Sequence, residues 1–325
     1  MKFKILAIVA MVFTLASCSG KASPGGATKV SVVLDWLPNT NHTGMYIALA
    51  KGYYADEGLD VSIDQPPEDG ALPLLASGKA DFAVSTQEEI ASALVSGLNV
   101  KAVAALLQHN TSGIISLAEK NILTPADMCG SNYATWDLPI EKAILRDCVE
   151  SEGGDFSQVK MIPSTVTDVL AAISTNVDCI WIYYGWDGVA AEVKGLDTNY
   201  FEFRNFVPEL DFYTPLLASS GTFLENSPET AAAFLRATAK GYEYAIAHPE
   251  DAADIFLSYS PETDVEIAKK SQLYLSGQYK AEVSQWGYIS PERWNGFFNW
   301  LTDKEIIQES LENKGFTNEF LSKQQ

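Results

Sequence analysis

Between residues 30 and 107 the chain alternates short apolar runs with short helix-forming stretches, and most runs end in a polar turn. Residues 30–35 are rich in β-branched side chains and read as a strand. Residues 44–51 read as a helix that Gly52 stops. Residues 61–64, 80–84 and 100–107 read as further strands, with helices at 71–77 and 88–96 between them. Such β-α-β-α-β alternation predicts a mostly parallel sheet, and the loops at its strand ends are where an α/β scaffold presents ligand contacts. The turn Asp35-Trp36-Leu37-Pro38-Asn39-Thr40-Asn41-His42 gathers a carboxylate, an indole, two amides and an imidazole into one such loop.

A second unit follows. Residues 114–117 read as a strand leaving the first lobe, then come a short helix opened by Pro125, a strand at 130–134 and a helix at 138–150. A strand at 159–162, a helix at 167–174, a buried strand at 177–183 and a helix at 188–194 complete it. Residues 216–219 return the chain to the first lobe, and the remainder reads as helical with interruptions. Ser227-Pro228-Glu229 and Ser290-Pro291-Glu292 both look like helix starts. Trp294, Phe297, Phe298 and Leu301 recur at helical spacing, which predicts core. The expected fold is α/β: two hinged lobes, 30–113 with 216–325 and 114–215, a ligand cleft between them, and a helical C-terminal part.

The N-terminus reads as an address. Lys2 and Lys4 precede an apolar run at 5–16, and Leu15-Ala16-Ser17-Cys18 closes it in small residues. Residues 1–17 are expected to be a lipoprotein signal, with Cys18 lipidated after the cut, although an ordinary secretory signal has the same outline. Residues 18–29 are small and aperiodic and read as a tether. No later apolar run is long enough to span a bilayer. The expected location is therefore a membrane surface, held by lipid, on the periplasmic or extracellular face. Cys129, Cys148 and Cys179 contain no C-x-x-C, so free thiols are expected, with one bridge possible. His42, His109 and His248 are far apart in sequence, and neither a metal nor a cofactor is expected. The net charge of −20 argues against nucleic acid as a partner.

Four segments carry a resemblance: LDWLPNTNHTGMYIALAKGYYADEGLDV, ADFAVSTQEE, IYYGWDGVAAE and DFYTPLLASS. They resemble the thiamine-pyrimidine-precursor binding family, across about residues 30–301. The first segment and Tyr184-Gly185-Trp186-Asp187 are specific, whereas KGYY…GLDV is shared with sulfonate, nitrate and taurine binders. The resemblance implies a type II periplasmic-binding fold, a 4-amino-2-methylpyrimidine ligand, an ABC permease as partner, and a monomer. Fungal enzymes of the family carry a pyridoxal-binding lysine and a sacrificial histidine where this chain has Ser85 and Glu89. Their cysteine-rich run would fall near residues 212–219, where this chain has none. The resemblance thus implies a binder and not an enzyme; a sulfonate or nitrate binder is the alternative, and would call for a cationic or N–H-rich pocket, where the strand-end loops here offer carboxylates and aromatics.

An aminopyrimidine wants aromatic faces and an acceptor for its exocyclic amine. Trp36 and Trp186 are candidate faces, or else packing between lobes. Asp187 is the candidate acceptor, or else a helix N-cap; the family often has Glu there. Asp35, Asn39 and His42 offer polar contacts in the first turn, though Asn is an ordinary turn residue and His42 could cap the following helix. Ser85, Thr86 and Gln87 either hold a polar substituent or cap a helix. Tyr184 and Tyr213 could add faces or hydroxyls. Trp136, in a loop where the family often has glycines, could reshape the pocket.

Overall fold

The computed structural model describes residues 26–68, 70–164 and 168–321. The expected signal, Cys18 and most of the tether lie outside the described residues. In chain order, β1 (Thr28–Val33), α1 (Thr43–Ala50), α2 (Tyr53–Asp56), β2 (Leu59–Asp64), α3 (Leu72–Ala76), β3 (Phe82–Ser85), α4 (Gln87–Val95) and β4 (Val100–Ala105) form the first unit. The second holds β5 (Ser112–Leu117), β6 (Asn132–Thr135), α5 (Pro139–Ser151), β7 (Lys160–Pro163), α6 (Val169–Ile173), β8 (Cys179–Tyr183), α7 (Val189–Val193) and β9 (Thr198–Glu202). The chain then runs through β10 (Leu216–Ser220), α8 (Gly221–Asn226), α9 (Pro228–Ala247), α10 (Pro249–Tyr259), α11 (Val265–Ser276) and α12 (Pro291–Asp303).

Two five-stranded sheets result, in the orders β2-β1-β3-β10-β4 and β7-β6-β8-β5-β9. In the first, β2, β1 and β3 pair in parallel and β10 lies antiparallel to both β3 and β4. In the second, β7, β6 and β8 are parallel, and β5 is antiparallel to β8 and β9. The antiparallel members are the strands that arrive from the other unit. The chain passes between the sheets at 106–111 and 203–215. β1 opens at Thr28, inside the stretch expected as tether. β9 has no counterpart in the sequence reading, because Thr198–Glu202 is only half-buried and follows the polar Asp197.

Both faces of each sheet are covered. One face of the first packs Val30, Val32 and Phe82 against α1 and α9 through Ile47, Phe234 and Tyr242. An apolar cluster continues from Ala83 and Ala105 through α12 to Tyr133 and Trp181 of the second sheet. The stripe Trp294, Phe297, Phe298 and Leu301 is buried there, as its spacing predicts. Ser290 caps α12 by accepting the Arg293 N–H at 3.4 Å, whereas Ser227 sits at the N-cap of α9 without a side-chain bond. After Asp303 the expected helix does not continue. Residues 304–321 instead return to β4, where Ala102 N–H donates to the Gly315 carbonyl at 2.8 Å and Thr317 N–H to the Ala102 carbonyl at 2.9 Å.

α1 and α9 approach closely because a glycine stands on each. A Cβ on Gly241 would lie 1.9 Å from the Gly44 carbonyl oxygen, and one on Gly44 would lie 2.3 Å from the Tyr242 ring. This contact seats the turn that precedes α1. Gly241→Ala should therefore destabilise the fold by about 1–3 kcal/mol, the usual cost of overpacking. A thermal melt checks it, and an unchanged midpoint would mean that the two helices separate freely.

Candidate functional site

The first turn is organised by a buried imidazole. Asn39 N–H donates to His42 Nδ1 at 3.2 Å, which leaves the proton on Nε2 to be donated to Asp35 Oδ1 at 2.8 Å. His42 is fully buried and thus clamps the turn; it makes no side-chain cap on α1. Asn39 is also occupied locally: its Oδ1 accepts from Asn41 N–H at 2.9 Å and its Nδ2 donates to the Leu37 carbonyl at 3.2 Å. Two tyrosine hydroxyls hold the turn from behind, Tyr279 on the Thr40 carbonyl and Tyr242 on the Asn41 carbonyl, each at 2.6 Å. Trp36 is left 66% exposed at the tip.

β8 runs out into a π-helical turn, Tyr184–Gly188, which places Trp186 and Asp187 half-buried at its centre. Single π turns inside helices recur at functional sites because they re-aim side chains. Gly185 lets Leu275 of α11 pack close, since a Cβ would meet its Cδ2 at 2.8 Å and the leucine would have to shift. Burial pushes the Asp187 carboxyl from 3.8 up to about 6; a backbone hydrogen bond at Tyr183 opposes the rise and the charge of Asp168 adds to it. Tyr184 turns away from the cleft. Its hydroxyl bonds Glu192 and its ring packs on Tyr200 and Tyr274, at 4.8 and 5.1 Å between centroids. The preceding Tyr183 lines the cleft floor in its place.

Several other expected contacts stand behind the cleft wall. Gln87 is fully buried; it accepts from Tyr213 N–H at 3.0 Å and donates to the Trp294 carbonyl at 2.9 Å. Tyr213 is fully buried too, and its hydroxyl accepts the Ser290 N–H at 2.9 Å. Ser85 donates to Glu89 Oε2 at 2.6 Å, and Thr86 caps α4 by accepting the Glu89 N–H at 3.3 Å. Burial thus corrects the placement of Ser85, Gln87 and Tyr213: Ser85 is spent on Glu89, and Gln87 and Tyr213 hold α4 against the passage at 203–215. In the second sheet's loop, Trp136 is 46% exposed and rests on Trp181 at 5.9 Å. That loop is pinned by the buried Glu141, which accepts from Tyr133 Oη at 2.7 Å, Thr135 Oγ1 at 2.8 Å, and the Trp136 and Leu138 N–H groups at 3.2 and 3.3 Å.

Turn and π turn meet at the floor between the sheets. Thr40, Asn41, Tyr183, Gly185, Trp186, Pro215 and Leu275 enclose a cavity of about 10 Å³, room for about one water. A second space of about 560 Å³ opens along α4 toward the head of α5 and the segment after α12. Glu88, in the first turn of α4, reaches it; Oε2 of this residue is buried without a hydrogen-bond partner. Burial pushes the Glu88 carboxyl from 4.5 up to about 8; its own backbone N–H and the Thr86 hydroxyl oppose the rise, and Glu89 adds to it. The Tyr183 phenol is raised chiefly by burial and next by the charge of Glu88.

The sequence reading assigned no role to Tyr183, Glu88 or Glu141. An acid in the first turn of a helix is too common to single out Glu88. The pattern Leu138-Pro139-Ile140-Glu141 carried a usable signal, a glutamate at the third helical position. Among the described residues no cluster of His, Cys, Asp and Glu suits a metal ion, and Cys129, Cys148 and Cys179 are free.

Residues 39–252 match the NMT1/THI5 like family. The chain is 31% identical to the formylaminopyrimidine-binding protein of Halalkalibacterium halodurans, over 95% of this chain and 96% of that protein. It is 24% identical to the 4-amino-5-hydroxymethyl-2-methylpyrimidine phosphate synthase of Candida albicans, over 90% of this chain and 88% of that one. The structure superposes on the periplasmic aliphatic sulphonate binding protein of Escherichia coli with a TM-score of 0.69 at 14% identity, covering 88% of this chain and 95% of that one. The fold is thus the periplasmic-binding fold of two α/β lobes.

The Glu88 carboxyl gives a stability signature. An unfolded chain ionises it near 4.5 and the folded chain near 8, so the folded state is increasingly penalised as pH rises between these values. Glu88→Gln should raise the melting temperature more at pH 8.5 than at pH 5.5. A gain that does not grow with pH would place the buried acid elsewhere.

Proposed function

Because this chain belongs to the NMT1/THI5 like family, we propose that it is the substrate-binding component of an ABC importer and captures a 4-aminopyrimidine precursor of thiamine. The observation that carries this reading is the pairing of Trp186 and the half-buried Asp187 on one turn of β8's lobe, set against the turn of β1's lobe across the floor. An indole face and a carboxyl on adjacent residues suit a flat ring with an exocyclic amine. The near full-length likeness to a formylaminopyrimidine-binding protein supports the ligand class. Trp36 and Trp136, exposed at the strand ends of the two lobes, are apolar surface that a closed, ligand-filled cleft would cover. Asp35 is the further polar contact of the first turn. We take the moving bodies as 30–113 with 216–325 and 114–215. Because the floor cavity holds about one water, ring entry requires the lobes to part.

The sulfonate reading is disfavoured by charge. None of the residues lining either cavity is Lys, Arg or His, whereas an oxyanion calls for such donors. The synthase reading is disfavoured by chemistry. Ser85 cannot form an imine with pyridoxal, and its hydroxyl is bonded to Glu89. Attachment through a lipidated Cys18 and the tether would keep a monomeric binder beside its permease at the outer face of a membrane. Among the described residues no helix is long and apolar enough to cross a bilayer.

Asp187→Asn should weaken binding of 4-amino-5-hydroxymethyl-2-methylpyrimidine more than tenfold by calorimetry; unchanged affinity removes Asp187 from the site. Trp36→Ala should lose affinity with little change in melting temperature, because its side chain is mostly exposed. A large drop in melting temperature would return that indole to a structural role.

A further inference from the structure

We infer that His109 is a proton-operated clasp on the hinge: with both ring nitrogens protonated it fastens the two crossings to each other and to the first lobe, and loss of one proton lets the lobes part. The inference uses the moving bodies proposed above and goes beyond the choice of ligand. His109 stands on the first crossing, at 106–111. Its Nδ1 meets Asp211 Oδ2 of the second crossing at 2.7 Å, and its Nε2 meets Glu282 Oε2 of the returning chain at 2.8 Å. A neutral imidazole has one N–H, and a carboxylate only accepts. Both bonds therefore require the imidazolium; the neutral ring must turn a lone pair toward one carboxylate.

The bonds around His109 join the segments that a hinge motion would turn. Asn110 N–H donates to Asp211 Oδ1 at 2.9 Å, and Asn110 Nδ2 donates to the Leu210 carbonyl at 2.8 Å. Arg293 of α12 bonds the Gln108 carbonyl, lies 3.6 Å from Asp211 and 3.3 Å from Glu282, and covers the Tyr213 ring at 5.3 Å. Arg204 is paired with Glu202 at 2.6 Å and lies 3.7 Å from Asp211. The phenols of Tyr213, Tyr274 and Tyr288 complete the surroundings. With the ring protonated, His109, Arg204 and Arg293 balance Glu202, Asp211 and Glu282. Without that proton one negative charge is left over, at a place where two strands must lie side by side. The floor between the lobes has room for about one water in this arrangement, so the clasp holds the lobes together.

The hydrogen bond to Asp211 raises the His109 ring above 6.5 against burial; the charge of Asp211 and the bond to Glu282 add to the rise, and Arg293 opposes it. A raised value means that the clasp is complete below about 6.5 and is lost as pH rises through the folded value. Opening should therefore be favoured on the alkaline side.

The test is hydrogen exchange with small-angle scattering on the ligand-free protein between pH 5.5 and pH 9, with exchange corrected for its intrinsic pH dependence. The amides of Gln108, Asn110 and Tyr213, each bonded here, report the crossings. We expect their protection to fall by about threefold or more as pH rises, while the radius of gyration grows. Asp187 and Glu88 titrate in the same range, so two variants isolate the ring. His109→Gln should show neither change with pH. In Glu282→Gln the new amide can donate to Nε2 of a neutral ring, so protection should persist to pH 9. The Glu282 side chain is 59% exposed, so this variant should fold even if the other does not. A wild-type hinge that keeps its protection overturns the inference. So does a fall that survives undiminished in either variant, or a fall without expansion. No ligand is present, so each result is independent of the aminopyrimidine reading.

Discussion

The hydroxyl of Ser271, on α11, stands between the two loops that carry the site. It lies 2.5 Å from Thr40 Oγ1 in the first lobe's turn and donates to the Gly185 carbonyl in the second lobe's π turn. Both loops are thereby referenced to one helix that belongs to neither unit's sheet. The same helix presents Leu275 to Gly185, whose missing Cβ makes that approach possible. Lys194 of α7 meets Asp264, the N-cap of α11, at 3.1 Å, so the contact extends along the helix. A ligand that must touch Trp186 and the Asp35–His42 turn together needs such a common reference. Two sheets passing chain to each other only at 106–111 and 203–215 would not fix the distance between their loops.

With backbone geometry fixed from behind, side chains at the front are free to be poorly satisfied. The turn carbonyls at Thr40 and Asn41 are taken by Tyr279 and Tyr242, and the imidazole of His42 is spent on Asn39 and Asp35. In the other lobe Glu141 performs the parallel task for the loop at Trp136. What remains toward the cleft is indole, phenol and carboxyl. Asp187 and Glu88 are both pushed upward chiefly by burial, and neither has a cationic partner. Leaving acids so placed costs stability, and a bound donor recovers it.

Much of this was legible in the residues. The alternation over 30–107 gave the parallel strands, and the aromatic spacing in α12 gave the core. The turn 35–42 and the strand-end Trp186-Asp187 were visible as unusual clusters of chemistry at strand ends. Burial direction was not visible. Gln87 and Tyr213 look as available as Thr86 in a linear reading; only the pairing of β10 between β3 and β4 brings residue 213 against residue 87 and seals both. The choice of Tyr183 over Tyr184 depends on the π turn, which shifts the phase of side chains by a fraction of a turn and follows from no local propensity. Ser271 is some 86 residues from Gly185 and 231 from Thr40, and nothing near it in the chain marks it. The missing helix after Asp303 was lost to tertiary pairing, since Ala102 offers its N–H and carbonyl to that segment.

The position at the end of β3 illustrates how one scaffold can serve either binding or chemistry. The first turn of α4 carries Glu88 and Glu89 to the larger space, while Gln87 is buried behind it. A lysine at 85 with a histidine at 89 would place an amine and an imidazole one helical turn apart, as the resemblance implies for the fungal enzymes. In this chain the same two positions hold a hydroxyl and a carboxylate that satisfy each other at 2.6 Å. The bond engages Glu89, which is exposed and lines the larger space beside Glu88. Its neighbour Glu88, one residue around the helix, is half-buried, and its Oε2 is buried without a hydrogen-bond partner.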